Sequence, residues 1–218
     1  MKKLIILSVV AALGFAACKK TPASVSTEVT QSFPTITFPG GIYYSIGVGG
    51  TLPTISATAY DSFYNEVDPV ILDQSQLDAN TPGLYVVSAT SKNKYGFTSY
   101  ASVYVAVTNI DPLINLTGTY ERTSNSVLVH VSKLANGLYL TDNVGGVDPS
   151  VPTNASFILP AVFVQTDDTT IILPPQLTAQ GTLYGSNASI IMAPADTAYS
   201  YKVINGAFGT SLRTFVKQ

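Results

Sequence analysis

The sequence predicts an all-β protein, and three observations carry that expectation. β-Branched and aromatic residues abound while only 11% of the 218 residues are charged, a mixture suited to pleated, half-buried surfaces. Past residue 18 no stretch of a dozen residues keeps apolar side chains at spacings of three and four, so no long amphipathic helix is expected. Short runs with period-two alternation recur instead, bounded by Pro, Gly, Asn or Asp. The length beyond the first 18 residues suits one large or two small β units.

Met1, Lys2 and Lys3 form a basic start, and residues 4–17 are an apolar run that closes on Ala16 and Ala17. A run this short does not span a bilayer; with its flanks it reads as a secretory leader over residues 1–17. Cys18, the one cysteine of the chain, follows directly, with Phe15 where lipoprotein leaders usually carry Leu. A lone cysteine in an exported chain has no disulfide partner, and this one stands where a lipoprotein peptidase would leave it as the new N-terminus. Cys18 is therefore the expected lipidation site, and acyl chains at about 0.8 kcal/mol per buried methylene give a stable membrane anchor. Lys19 comes next and no Asp does, so nothing marks retention at the inner membrane; a lipid anchor in the outer membrane is expected. Residues 18–32 read as the lipidated tether, polar and rich in Ser and Thr, with too little to bury for a fold of its own.

The first folded segment is expected over residues 33–110. Thr35, Ile36, Thr37 and Phe38 alternate and stop at Pro39-Gly40-Gly41. Ile55, Ala57 and Ala59 alternate with Thr54, Ser56 and Thr58. A strand then opens straight from Pro82-Gly83, with Tyr85, Val87 and Ala89 on one face. Asn93 and Gly96 mark a turn, and Val103, Val105 and Val107 form one face of the closing strand. Sequential short strands at this spacing predict a two-sheet sandwich. The Pro-Gly turn, the Tyr-x-Val strand, the glycine-bearing polar turn and the valine ladder resemble the bacterial surface immunoglobulin-like domains. That resemblance implies an immunoglobulin-like sandwich without the cysteine pair and tryptophan of antibody domains.

The break at Asn109-Ile110-Asp111-Pro112 separates a second β segment, residues 111–218, expected as an antiparallel sandwich or a partly open barrel. Val127, Val129 and Val131 alternate with Leu128, His130 and Ser132, and Asn136-Gly137 turns the chain tightly into Leu138-Tyr139-Leu140. Further strands are expected over 157–164, 170–173, 189–192, 199–204 and 210–216, with Asn205-Gly206 as the last turn. The opening Leu116-Thr117-Gly118-Thr119-Tyr120, then Leu138-Tyr139 and Gly145-Gly146, resemble the C-terminal domain of two-domain surface lipoproteins of the Bacteroidetes. The order of leader, lipidation cysteine, immunoglobulin-like domain and β domain matches that group, whose resemblance implies architecture and not activity.

The residues give little for catalysis. His130, the single histidine, sits mid-strand with no acidic or nucleophilic partner close in sequence. Lipidation would consume Cys18, and no Ser lies in a Gly-x-Ser-x-Gly elbow. Asp167-Asp168, the one pair of adjacent carboxylates, followed by Thr169-Thr170, reads as a hairpin tip, because neighbouring strand residues point to opposite faces. Asp61, Glu66 or Asp68 could face calcium from an inter-sheet loop, but their spacing matches no EF-hand-type loop. No catalytic residue, metal or cofactor is therefore expected. Nine basic against thirteen acidic side chains remain once Lys2 and Lys3 leave with the leader, a balance of −4 that excludes a nucleic-acid surface.

Thirteen Tyr and nine Phe, with no Trp, offer flat amphipathic surfaces suited to sugar stacking or protein contact. In the second segment Tyr199-x-Tyr201 shares one strand face at about 6.6–6.8 Å, close to the repeat of consecutive sugar rings. Tyr199 and Tyr201, with Tyr139 and Tyr120, are therefore the expected glycan-binding residues. The function expected is a non-catalytic surface lipoprotein, a glycan-binding module of a nutrient-capture system; the alternative is a structural or adhesive surface protein that contacts another protein through its immunoglobulin-like domain. A monomer is expected. Asp168-Thr169-Thr170 and Asp196-Thr197-Ala198 resemble O-glycosylation acceptor sites of exported Bacteroidetes proteins, which nominates Thr169 and Thr197.

Overall fold

The computed structural model describes residues 29–111, 113–192 and 197–218. Cys18, the leader, residues 19–28 of the tether and Asp196 lie outside them. The chain divides into two units, Met1–Ser32 and Phe33–Gln218; the fold below is that of the second. Among the described residues it is almost wholly β, arranged in three sheets.

The alternation read over residues 33–108 produces seven strands in two sheets. β1 (Thr35–Thr37), β3 (Thr58–Asp61) and β4 (Glu66–Asp68) form one, in the order β1-β3-β4. β2 (Tyr43–Gly47), β5 (Val70–Asp73), β6 (Gly83–Lys92) and β7 (Thr98–Thr108) form the other, in the order β2-β7-β6-β5. β6 and β7 are an antiparallel hairpin from Gly83↔Val107 to Lys92↔Thr98, and β2 joins parallel to β7. The valine face behaves as the alternation predicts: Val103, Val105 and Val107 are fully buried, packed with Val87, Ile46 and Ile55. The Asn93 turn adds a polar pin. Its Oδ1 accepts from the backbone N of Tyr95 and Phe97, both at 3.0 Å, while its Nδ2 donates to Asp61 Oδ2 at 2.9 Å, tying the hairpin of one sheet to a strand of the other.

Residues beyond 113 build a nine-stranded antiparallel sheet. Its members are β8 (Gly118–Arg122), β9 (Leu128–Ala135), β10 (Leu138–Thr141), β11 (Ala161–Gln165), β12 (Ile171–Ile172), β13 (Gln176–Thr178), β14 (Gly181–Met192), β15 (Thr197–Ile204) and β16 (Leu212–Lys217). The order is β12-β11-β10-β9-β8-β16-β15-β14-β13, so the last strand, β16, lies beside the first, β8. The sheet curls until its β12 end meets β14, the strand next to its other end: Ile190 N donates to Thr169 O at 2.7 Å and Gly185 N to Leu173 O at 2.8 Å. Of the two expected arrangements, this is the partly open barrel, joined across its gap by two backbone bonds and not by a full ladder. Its interior is packed with Tyr120, Tyr139, Phe163, Tyr199, Tyr201 and Phe215, all fully buried.

Several boundaries differ from expectation for clear reasons. The strand expected over 157–164 begins only at Ala161, because residues 152–157 form a short 3-10 helix and Pro160 cannot donate to a ladder. β14 starts eight residues earlier than the alternation suggested. Its Tyr184-Gly185-Ser186-Asn187 stretch looks like a turn but is a bulged strand, with Asn187 at φ 51°. A Cβ on Gly185 would fall 2.6 Å from Leu173 Cβ, so the approach of β14 to the segment after β12 requires glycine there.

The link between the two β segments is held at several points. Asn109 N donates to Thr166 O at 2.8 Å, and Asp111 N to Asp168 Oδ1 at 3.0 Å. The outer face of β7 and β6 then meets the outer face of the barrel: Ala106, Leu138 and Val164 are fully buried together, flanked by Tyr43, Leu84, Tyr104 and Val162.

Candidate functional site

The tyrosines nominated from sequence do not form a site. Tyr120, Tyr139, Tyr199 and Tyr201 each have 0% exposure, which corrects the expectation of a displayed row. Tyr199-x-Tyr201 does share one strand face, but that face is the barrel interior. The rings of Tyr199 and Tyr201 stack at 5.7 Å, and Tyr199 also packs against Phe215 at 5.0 Å and Tyr120 at 4.8 Å. Three of the four hydroxyls serve the fold: Tyr120 donates to Leu116 O at 2.8 Å, Tyr201 to Val144 O at 3.1 Å, and Tyr139 accepts from Leu116 N at 3.3 Å. Burial pushes all four phenols above the usual tyrosine range. No sugar ring reaches them.

A different aromatic pair lines an opening. Between the outer face of the four-stranded sheet and the barrel wall lies a cleft of about 350 Å³. Tyr43, Leu84, Val86 and Tyr104 form one wall; Val162, Pro174, Pro175 and Gln176 form the other. Tyr43 and Tyr104 are cross-strand partners in β2 and β7, stacked at 5.7 Å with their planes 24° apart. Gln176 is fixed in place, its Oε1 accepting from Val162 N at 2.8 Å and its Nε2 donating to Val162 O at 2.9 Å. Those bonds satisfy the Val162 backbone and leave the barrel wall of the cleft apolar.

Beyond the cleft the same sheet face runs into solvent. Successive cross-strand rows carry Ser88 and Ser102 with Asp73, then Thr90 and Tyr100 with Ile71. Tyr100 is 78% exposed. The surface therefore passes from an apolar, aromatic slot to a hydroxyl-bearing strip within a few residues. Period two held the signal that sequence reasoning missed. β6 and β7 carry apolar side chains on both faces, Tyr85 and Val87 against Leu84 and Val86, and the valine ladder against Tyr104 and Ala106. A strand apolar on both faces is covered on both sides, which predicts a partner for that outer face.

The other sequence candidates fall as follows. His130 has an acidic partner that the spacing concealed: its Nδ1 lies 2.8 Å from Asp142 Oδ2, and its backbone N donates to Asp142 Oδ1 at 2.8 Å. The pair is exposed and does not line the cleft. Asp167-Asp168 occupies the β11–β12 turn, where Asp167 Oδ1 accepts from Thr169 N at 2.8 Å and from its hydroxyl at 3.0 Å. Thr169 is exposed in that turn, and Thr197 is the first residue of β15 and half-buried. Asp61 and Asp68 are buried inside the sandwich. Among the described residues no group of three or more His, Cys, Asp or Glu is placed to hold a metal ion, and no helix is long and apolar enough to cross a membrane.

No protein-family profile and no curated protein matches this chain. Among solved structures it is similar to a crystal structure of a lipoprotein from Bacteroides thetaiotaomicron, with a TM-score of 0.40 and 20% identity over 85% of this chain and 100% of that one. A likeness so distant transfers neither fold detail nor role.

Proposed function

We propose that this chain is a non-catalytic lipoprotein, anchored in the outer membrane through Cys18, that captures glycan in the cleft between its four-stranded sheet and its barrel. The leader and the position of Cys18 support the anchor. The stacked Tyr43–Tyr104 pair carries the binding reading, because it places aromatic surface in an apolar slot beside a strip of Ser and Thr hydroxyls. A pyranose ring has that same division, an apolar C–H face and a hydroxylated rim. Tyrosine offers both ring and hydroxyl to such a ligand, and a volume of about 350 Å³ admits one or two rings. No reaction is assigned, since the exposed His130–Asp142 pair lies outside the cleft lining.

The test is binding of the chain made without leader and lipid, residues 19–218, to plant, host and microbial glycans. Tyr43→Ala and Tyr104→Ala should each weaken binding about tenfold or more, roughly one lost aromatic contact of 1.4 kcal/mol. Unchanged affinity in both variants would remove the cleft from the reading. In the native host, Cys18→Ala should abolish palmitate labelling. The adhesive alternative has its own observation: β5 ends its sheet, and Ile71 on it is 69% exposed beside the Thr90 and Tyr100 row. An open strand edge of this kind pairs readily with another chain. Absence of glycan binding, together with loss of a cross-linked surface partner in Ile71→Lys, would favour that reading.

A further inference from the structure

Two guanidinium groups share the interior face at one end of the barrel. Arg122 on β8 stands opposite Phe215, and Arg213 on β16 stands opposite Tyr201, two residues along the same face. Arg213 is 6% exposed. Its Nε donates to Gly145 O at 3.2 Å, its Nη1 to Ser211 O at 3.1 Å and its Nη2 to Phe208 O at 2.7 Å. Arg122 Nη1 donates to Gly146 O at 3.1 Å, while its Nε is buried with no partner. The Gly145-Gly146 pair makes this approach possible: a Cβ on Gly146 would lie 2.5 Å from Arg122 Cδ, and one on Gly145 would lie 2.6 Å from the Phe208 ring.

Carbonyl oxygens satisfy hydrogen bonds but bring no opposite charge. Among the described residues neither guanidinium has a carboxylate within ion-pair distance. Two positive charges thus sit side by side in a desolvated corner, where neither has an opposite charge to offset the loss of its hydration. Burial, and then the neighbouring Arg122, pull Arg213 below the usual guanidinium range, yet arginine stays protonated in proteins. Of the five N–H groups of Arg213, three are used, leaving one on each Nη. A pocket of about 280 Å³ opens onto this group, lined by Val147, Asn154, Phe157, Ala207, Phe208 and Arg213.

We propose that this barrel-end pocket binds a small oxyanion, a carboxylate or sulfate group, on the remaining Nη donors of Arg213, with the charge of Arg122 behind it. An unused N–H on each Nη of a side chain that lines the pocket is the donor set a guanidinium uses to pair with oxyanions, and a bound anion would supply the counter-ion the fold lacks. The site is separate from the cleft and stands or falls without it.

Calorimetric titration of residues 19–218 at constant ionic strength tests this, with sodium sulfate, sodium glucuronate and neutral glucose as probes. Saturable binding of an oxyanion and none of glucose is expected. Binding of both anions points to the oxyanion group alone, and binding of glucuronate only points to an acidic sugar. Arg213→Lys keeps the charge but loses the fork and should weaken binding ~tenfold; Arg122→Gln should weaken it by removing the second charge. Near-ultraviolet circular dichroism identifies any variant that fails to fold. Absence of saturable oxyanion binding by the unmodified chain overturns the proposal. Unchanged affinity in two folded variants does so equally, leaving both arginines as struts for the Gly145-Gly146 turn.

Discussion

At the scale of single residues, alternation tells which side chains share a face but not which face is inside. Tyr199 and Tyr201 share theirs, and the neighbours decide its direction. Lys202 on the opposite face reaches solvent, which leaves the tyrosines to the core. Tyrosine's amphipathic ring hides that choice in a way that leucine would not. Charged residues in the core are harder still to foresee, and Asp68 is the clearest case. It is buried, and its Oδ2 has no hydrogen-bond partner. Burial first, then Asp61 and Glu66, raise its pKa, while Lys94 opposes them. Because the folded value lies above the unfolded one of about 3.9, the folded state holds this proton more tightly. Its contribution is full below about pH 4 and is lost as pH rises through the folded value. Asp68→Asn removes the charge and keeps the shape. Its urea midpoint should exceed that of the parent chain at pH 7, and the gap should close on acidification towards pH 4. A constant gap over that range would show that Asp68 is not the group that titrates.

At the scale of elements, the hairpins with a strong local signal are placed where the sequence puts them, and those set by distant contacts are not. Pro82-Gly83 opens β6 at Gly83, and Asn136-Gly137 joins β9 to β10. Both depend on local backbone preference. Asn205-Gly206 instead begins a longer loop, since β16 starts only at Leu212. The Arg213 guanidinium gathers the carbonyls of Phe208 and Ser211 and so shapes that loop, an effect no dipeptide encodes. Gly137 shows local and tertiary demands meeting at one residue. It has φ 69°, and an added Cβ would lie 2.7 Å from Thr108 Cγ2 and 3.0 Å from Gln165 O. Gly137→Ala should therefore cost more than left-handed backbone alone, roughly 2–4 kcal/mol in total. Guanidinium denaturation measures it; a loss under about 1 kcal/mol would mean that the turn gives way without disturbing its neighbours.

At the scale of the whole molecule, the sequence reads as two β segments in series, and the structure adds the surface on which they meet. The apolar residues of that surface were visible as the second face of β6 and β7, but a single chain of residues does not say what covers them. Ala106 lies at the centre, fully buried between Leu138 and Val164, while Asn109 and Asp111 are bonded to the β11–β12 turn nearby. With a shared apolar patch and a clamped link, the two segments should unfold together, as one cooperative transition. The cleft depends on the same contact, because its walls come one from each segment. Ala106→Asp places an unpaired carboxylate in the patch, which costs several kcal/mol unless the surfaces part. The valine core on the opposite face of β7 and the aromatic core of the barrel do not include Ala106, so each segment should keep its own packing. Calorimetry of this variant should resolve two transitions where the parent chain shows one, and protease should gain access near Asp111. Under the function proposed above, glycan affinity should fall with it although no residue lining the cleft has changed. One transition at the parental midpoint would show that the clamped link, and not the apolar patch, couples the two segments.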